Sequence, residues 1–421
     1  MHCSNRLSYS LSRVATTGIS DLPSLGNTIA SLAKYRRQWE TLVQAGRSAR
    51  SSAPDLDPAF SHLTEVHGFG SNPGALRMFK YVPERPEPAL VVVLHGCTQT
   101  AASYDVGAGW STLADRYGFM LLLPQQQSAN NANRCFNWFL AHDIEREKGE
   151  ALSIRQMVET MVRDHGIDRR RVFITGLSAG GAMTSVMLAT YPETFAAGAV
   201  IAGLPYRTAM NLHEAFESMF KVRARSAREW GDFVRAASPH RGPWPRISVW
   251  HGGADPLVKR ENADQIVKQW TDVHGLDDQP TLTETVDGYP RQVWRNRSGI
   301  DLVESYTIPN MAHGTPLAAG DSHDQCGVPG AFLLEVGISS SYHIAKFWGL
   351  TGHPRPVAAR PSPAPKPVPL ARPQRQEAAG SAARKPAAAP LEQTEPLRAG
   401  GVDVQAVIAK ALKAAGLWKS R

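Results

Sequence analysis

Long apolar runs are missing from this chain. No stretch approaches the ~20 residues that a bilayer-spanning helix needs, and the runs Ala89–Leu94 and Phe195–Gly203 are of core-strand length. No transmembrane segment is expected. Cysteine is scarce, with four residues (Cys3, Cys97, Cys135 and Cys326) in 421. They form no C-x-x-C and no zinc-ligand spacing, so a zinc module is excluded and no metal centre is expected. Cys97 and Cys135 both fall near the edge assigned to the catalytic residues below. They either pair as a disulfide in an oxidising compartment or sit as buried small hydrophobes in the cytosol.

A charge excess is lacking too, once its location is considered. The net charge is +8, but residues 354–421 hold twelve Lys/Arg against four Asp/Glu, which leaves 34 of each sign in the remainder. The basicity belongs to the tail, and no nucleic-acid surface is expected on the body. The first twenty residues contain Ser, Thr and two arginines but no continuous apolar segment. This predicts no Sec signal peptide and a cytoplasmic, granule-associated location, with export as the alternative.

The organisation follows from composition and periodicity. Residues 1–60 read as an N-terminal arm in which Asn27-Thr28 caps a helix, with Ile29, Leu32, Trp39, Leu42 and Val43 on one face. The glycines of Gly68–Gly74 lead into no helix and lack a Gly-Lys-Ser/Thr, so a hairpin or loop is expected there, not a phosphate loop. Residues 61–350 alternate short apolar strands with amphipathic helices, the pattern of an α/β fold with a mostly parallel, doubly wound sheet covered on both faces. Predicted strands are Leu90–Leu94, Phe119–Leu123, Val172–Thr175, Ala197–Ile201, Ile247–Trp250 and Val303–Ile308. Ile154, Met157, Val158, Met161 and Val162 recur at helical spacing between them. Residues 351–399 form a basic Pro/Ala-rich linker: eleven of the chain's 30 prolines fall between 354 and 398. Val404, Val407, Ile408, Ala411, Ala415 and Trp418 then line one face of a basic amphipathic helix over 400–421. Such a helix docks on a granule, an anionic surface or the protein's own body.

Chemistry concentrates in Arg171–Gly181. A β-branched, aromatic run breaks into Gly176-Leu-Ser-Ala-Gly180, and a helical segment, Ala182–Thr190, follows. A strand entering G-x-S-x-G and leaving as a helix is a nucleophile elbow, which presents the hydroxyl of Ser178 at the sheet's C-terminal edge. A serine needs a base, and the base needs an orienting acid. Downstream, Asp255 follows a strand in His251-Gly-Gly-Ala-Asp255, and His313 follows another in Asn310-Met-Ala-His-Gly314. His251 and His323 are rival bases that more simply satisfy local hydrogen bonds, and His165 and His343 read as ordinary helix residues. Backbone N–H groups of Ala179 and of Cys97, in Leu94-His-Gly-Cys-Thr-Gln99, are the expected oxyanion donors.

These motifs, together with Asn133-Arg-Cys-Phe-Asn-Trp138 and His313-Gly-Thr-Pro316, resemble the polyhydroxybutyrate (PHB) depolymerase family of esterases over about residues 65–350. The resemblance implies an α/β-hydrolase fold, a Ser178–Asp255–His313 triad, an oxyanion hole from Cys97 and Ala179, and extracellular location. It implies hydrolysis of polyhydroxyalkanoate esters without a cofactor, or of the feruloyl or acetyl esters of plant polysaccharides that relatives take. Trp138 matches an aromatic near the active-site mouth and is expected either as an apolar wall for substrate or as core. Ala312 stands where a glycine is more usual. A reading of another class is a non-catalytic protein that binds polymer granules or membranes.

Overall fold

A computed structural model describes residues 62–352. The N-terminal helix, the Pro-rich linker and the terminal amphipathic helix expected above lie outside these residues. The strands are β1 (Thr64–Val66), β2 (Arg77–Tyr81), β3 (Leu90–Leu94), β4 (Met120–Gln125), β5 (Val172–Leu177), β6 (Ala197–Ile201), β7 (Arg246–Gly252), β8 (Leu282–Val286), β9 (Tyr289–Arg295), β10 (Asp301–Ile308), β11 (Thr315–Leu317) and β12 (Leu333–Glu335). The helices are α1 (Ala101–Ala108), α2 (Trp110–Tyr117), α3 (Ala141–Ile144), α4 (Gly149–His165), α5 (Ala179–Thr190), α6 (Leu212–Phe220), α7 (Ala227–Ala236), α8 (Glu261–His274) and α9 (Ser340–Phe347).

Ten strands form one sheet in the order β1-β2-β4-β3-β5-β6-β7-β10-β9-β8. The middle six, from β4 to β10, run parallel. Along β3, Leu90, Val92 and Leu94 enter one apolar cluster while Val91 and Val93 enter another on the opposite face. A strand apolar on both sides must be covered on both sides, which is why helices flank the sheet. All twelve residues of α5 are buried, because this helix lies at the centre of one layer with neighbours around it. Ile154, Met157, Val158 and Met161 are buried along α4, as their spacing predicts.

The six predicted strands are present, several a residue or more longer than expected. The strands β1 and β2 were not named, although a hairpin or loop was expected between them, and the antiparallel β9–β8 wing and the small β11–β12 pair were not anticipated. β8 reads Leu-Thr-Glu-Thr-Val with alternating partial exposure, the polar dress of an edge strand, so its hydrophobic signal is weak. The Gly68–Gly74 segment is the loop of the β1–β2 hairpin.

Parallel register determines where the loops emerge. Leu94 pairs with Gly176, Leu177 with Ile201, Ile201 with Trp250, and Trp250 with Tyr306. The segments leaving β3, β5, β7 and β10 therefore rise at one rim, the C-terminal edge where sheets of this kind place function.

Candidate active site

Ser178 follows β5 directly and begins α5. Its φ of 57° and ψ of −116° are a strained backbone combination for a residue with a Cβ. The turn is possible because its neighbours have none: a Cβ on Gly176 would meet the Gly180 carbonyl at 2.4 Å, and one on Gly180 would meet Leu94 O at 2.4 Å. Ser178 is half-buried, and its N–H bonds to Ile201 O at 2.9 Å, which pins the elbow to the adjacent strand.

Backbone donors beside it can be counted. In the loop after β3, Gly96 N donates to Gln99 Oε1 (2.8 Å), Thr98 N to Asn133 O (2.6 Å) and Gln99 N to Gly96 O (3.3 Å). Among the described residues the Cys97 N–H has no partner. Nor has that of Ala179, in the first turn of α5, where a helix leaves its N–H groups free. These are the two donors the sequence nominated, and Cys97 lines the same cleft as Ser178.

The loop holding Cys97 is fixed from several directions. Cys97 and Cys135 are joined by a disulfide. Arg134 Nη2 donates to Thr98 O at 2.8 Å. His95, 1% exposed, accepts from Gln126 N at Nε2 (3.1 Å), so Nδ1 carries the proton and donates to Gly96 O (2.7 Å). Burial disfavours the imidazolium and pushes this histidine down to about 4. The segment carrying Cys135 is itself held by the buried Glu150 carboxylate, which accepts from Asn137 N (2.9 Å) and Asn137 Nδ2 (2.8 Å).

Asp255 lies in the loop after β7, and His313 in the loop after β10. The two loops touch: a Cβ on Gly252 would meet Met311 O at 2.3 Å, and one on Gly253 would meet Pro309 O at 2.3 Å. Close passage brings His313 Nδ1 to 2.7 Å from Asp255 Oδ2. Asp255 Oδ1 accepts from the N–H groups of Leu257 (2.8 Å) and Val258 (3.0 Å), which sets the plane of the carboxylate. Burial alone would raise this acid, but the charge and hydrogen bonds of His313 and His251 outweigh it and hold the carboxyl well below its usual range. An anionic Asp255 keeps the proton on His313 Nδ1 and leaves Nε2 as a base.

Ser178 and His313 line one cleft, and Leu177, Met219, Leu257 and Phe332 supply its large apolar side chains. Phe332 stands edge-on to His313, ring centroids 6.0 Å apart. The structure thus brings Ser178, His313, Asp255 and Cys97 to one rim. Trp138 is elsewhere: it is 6% exposed, packs edge-on against Phe139, and belongs to the core cluster on one sheet face instead of the cleft wall. His251 is fully buried, with Nε2 2.8 Å from Val258 O and 3.3 Å from Asp255 Oδ2, so it contacts the acid and not the nucleophile. His323 is exposed, and its carbonyl accepts from Tyr117 Oη. Gln99, Met219, Leu257 and Phe332 were not nominated from sequence. Met219 arrives on α6 and Phe332 just before β12, and nothing local marks either as cleft-lining.

A doubly wound sheet with a serine elbow at its C-terminal rim defines an α/β hydrolase that uses a serine nucleophile. The Esterase PHB depolymerase profile matches residues 82–286. The chain is 50% identical over 293 residues to poly(3-hydroxyalkanoate) depolymerase C of Paucimonas lemoignei, covering 69% of this chain and 70% of that one. It is 37% identical over 277 residues to an acetylxylan esterase of Coprinopsis cinerea (63% and 71% covered) and 33% identical over 279 residues to feruloyl esterase B of Talaromyces stipitatus (64% and 76%). Among solved structures, the acetyl xylan esterase from Aspergillus awamori matches at 25% identity and a TM-score of 0.58, over 68% of this chain and 99% of that one. The chain belongs to the PHB depolymerase family of esterases and is a carboxylic ester hydrolase. No helix among the described residues is long and apolar enough to cross a membrane.

Proposed function

We propose that this esterase hydrolyses poly- or oligo(3-hydroxyalkanoates) such as polyhydroxybutyrate through an acyl-enzyme. Ser178 Oγ attacks the ester carbonyl while His313 Nε2 takes its proton. Asp255 holds the imidazole in the required tautomer and stabilises the imidazolium. The N–H groups of Cys97 and Ala179 receive the oxyanion. His313 returns the proton to the leaving alkoxide, and water repeats the cycle to free the acid. The observation that carries this reading is the 2.7 Å contact from His313 Nδ1 to Asp255 beside a cleft that His313 shares with Ser178. The substrate rests on the relative at 50% identity and on an apolar acyl wall of Leu177, Met219, Leu257 and Phe332.

A second reading, an acetyl- or feruloyl-polysaccharide esterase, is favoured by the relatives at 37% and 33% identity and uses the same residues. The disulfide at the rim supports an oxidising compartment, the exported alternative and not the cytoplasmic one. Two assays test the proposal. Ser178→Ala should lower kcat on p-nitrophenyl butyrate by at least about 10⁴-fold, and equal rates in variant and wild type would end it. Hydrolysis of 3-hydroxybutyrate oligomers should exceed that of methyl ferulate; the reverse order selects the second reading.

A further inference from the structure

Gln99 lines the cleft and is 6% exposed, yet ester hydrolysis as described gives it no task. The orientation of its carboxamide is determined. Oε1 accepts the Gly96 N–H at 2.8 Å, and a flipped amide would oppose donor to donor there. Nε2, with its two hydrogens, therefore points away from Gly96, and among the described residues it has no hydrogen-bond partner. Held in this orientation and open to the cleft, this amide donor is available to a bound ligand. On the apolar part of the surrounding wall, Leu177, Leu257 and Phe332 carry no side-chain acceptor and Met219 only a weakly accepting thioether. The oxyanion is already provided with two backbone N–H groups, so this third donor exceeds what the scissile carbonyl needs.

We propose that Gln99 Nε2 binds a second oxygen on the acyl chain of the substrate. The site then selects acyl groups that bear an ester oxygen a few atoms from the scissile carbonyl over plain alkanoyl groups of the same shape. This rests on the polyester reading above. In a 3-hydroxyalkanoate chain every acyl unit but the hydroxyl-terminal one carries an ester oxygen on its third carbon and a further carbonyl beyond it, whereas a simple fatty ester has neither. Leu177, Met219, Leu257 and Phe332 reward apolar bulk and cannot tell these acyl groups apart. One hydrogen bond in a desolvated cleft can. Gln99 also props the loop through Gly96, and the two roles separate by substitution. Gln99→Glu keeps an oxygen for the Gly96 N–H and turns the free donor into an acceptor. Gln99→Met removes both.

The test compares two esters with one leaving group: p-nitrophenyl 3-acetoxybutyrate and its carbon isostere p-nitrophenyl 3,5-dimethylhexanoate. Both are assayed on the same enzyme preparation, so the ratio of their kcat/KM values is independent of how much of a variant is folded. Wild type should favour the acetoxy ester by about tenfold, and both variants should bring the ratio close to one. A ratio that stays at the wild-type value while both rates fall together makes Gln99 a loop support alone and overturns the proposal. Wild type active on both esters without preference overturns it too, leaving the esterase reading intact. Wild type inactive on both overturns the polyester reading and this one with it.

Discussion

Asp255→Asn is the most informative single substitution at this rim, because the structure dictates how the new side chain must sit. The N–H groups of Leu257 and Val258, at 2.8 and 3.0 Å, both donate to Oδ1 and accept no amide hydrogen in return. The asparagine oxygen therefore takes that place, and its NH2 lands where Oδ2 now lies, 2.7 Å from His313 Nδ1 and 3.3 Å from His251 Nε2. Two N–H donors cannot face each other at that distance. His313 escapes by shifting its proton to Nε2 and offering Nδ1 as acceptor, which removes the lone pair that should receive the Ser178 proton. The imidazolium also loses its anionic partner. In triads of this arrangement the wrong tautomer costs about 10⁴ in kcat, or about 5.5 kcal/mol of transition-state stabilisation. KM should change little, since no cleft-lining atom differs. Steady-state kinetics on p-nitrophenyl butyrate near pH 7.5, with a melting curve to establish folding, measures this. A folded variant with kcat within tenfold of wild type would refute the assignment of Asp255 as the orienting acid.

Two further outcomes follow from the loop that carries Cys97. Cys135→Ser frees that loop on one side and should lower kcat by about 10²-fold, the usual effect of misplacing one oxyanion donor. Alkylation of denatured, unreduced protein should leave Cys97 and Cys135 unlabelled, and four labelled thiols would show the bridge absent. His95 gives a pH dependence whose sign can be worked out. Its ordinary value is 6.5 and burial lowers it to about 4, so the fold prefers the neutral ring. The stability this contributes is complete above pH 6.5 and is lost as pH falls through 4, about 3 kcal/mol in all. In His95→Gln the fall in urea-unfolding stability between pH 7 and 4 should be smaller by that amount; parallel curves in the two proteins would contradict a buried neutral His95.

How legible each part was in the sequence depends on the distance over which it is determined. The elbow is a local object: a β-branched strand, two glycines where a Cβ would strike backbone at 2.4 Å, and an apolar helix all lie within twenty residues of Ser178. Asp255 and His313 are each local only as loops after a strand. Their meeting depends on β7 and β10 being neighbours, and that neighbour relation could be inferred only from chain order. The side strands β8 and β9 were missed because the edge strand β8 is rich in Thr and Glu and its inner neighbour β9 carries Pro290, a residue that argues against a strand. Cys97 and Cys135 could not be paired from a spacing of 38 residues, since nothing in a spacing reports where β3 ends relative to the segment after β4.

The cleft wall is the limiting case. Met219, Leu257 and Phe332 come from three distant segments, and each reads in sequence as an ordinary core residue. Trp138 shows the same ambiguity resolved the other way, as an aromatic inside a site motif that packs into the core. A nucleophile must be strained and exposed, and strain leaves a written trace in glycines. An apolar wall needs only to be in the right place, and place is decided by the whole sheet. The chemistry of this enzyme is therefore spelled out in short words, while its choice of substrate is spread over tertiary contacts. Gln99 stands between the two, two residues after the motif cysteine in sequence but defined as a donor only by which amide atom Gly96 holds.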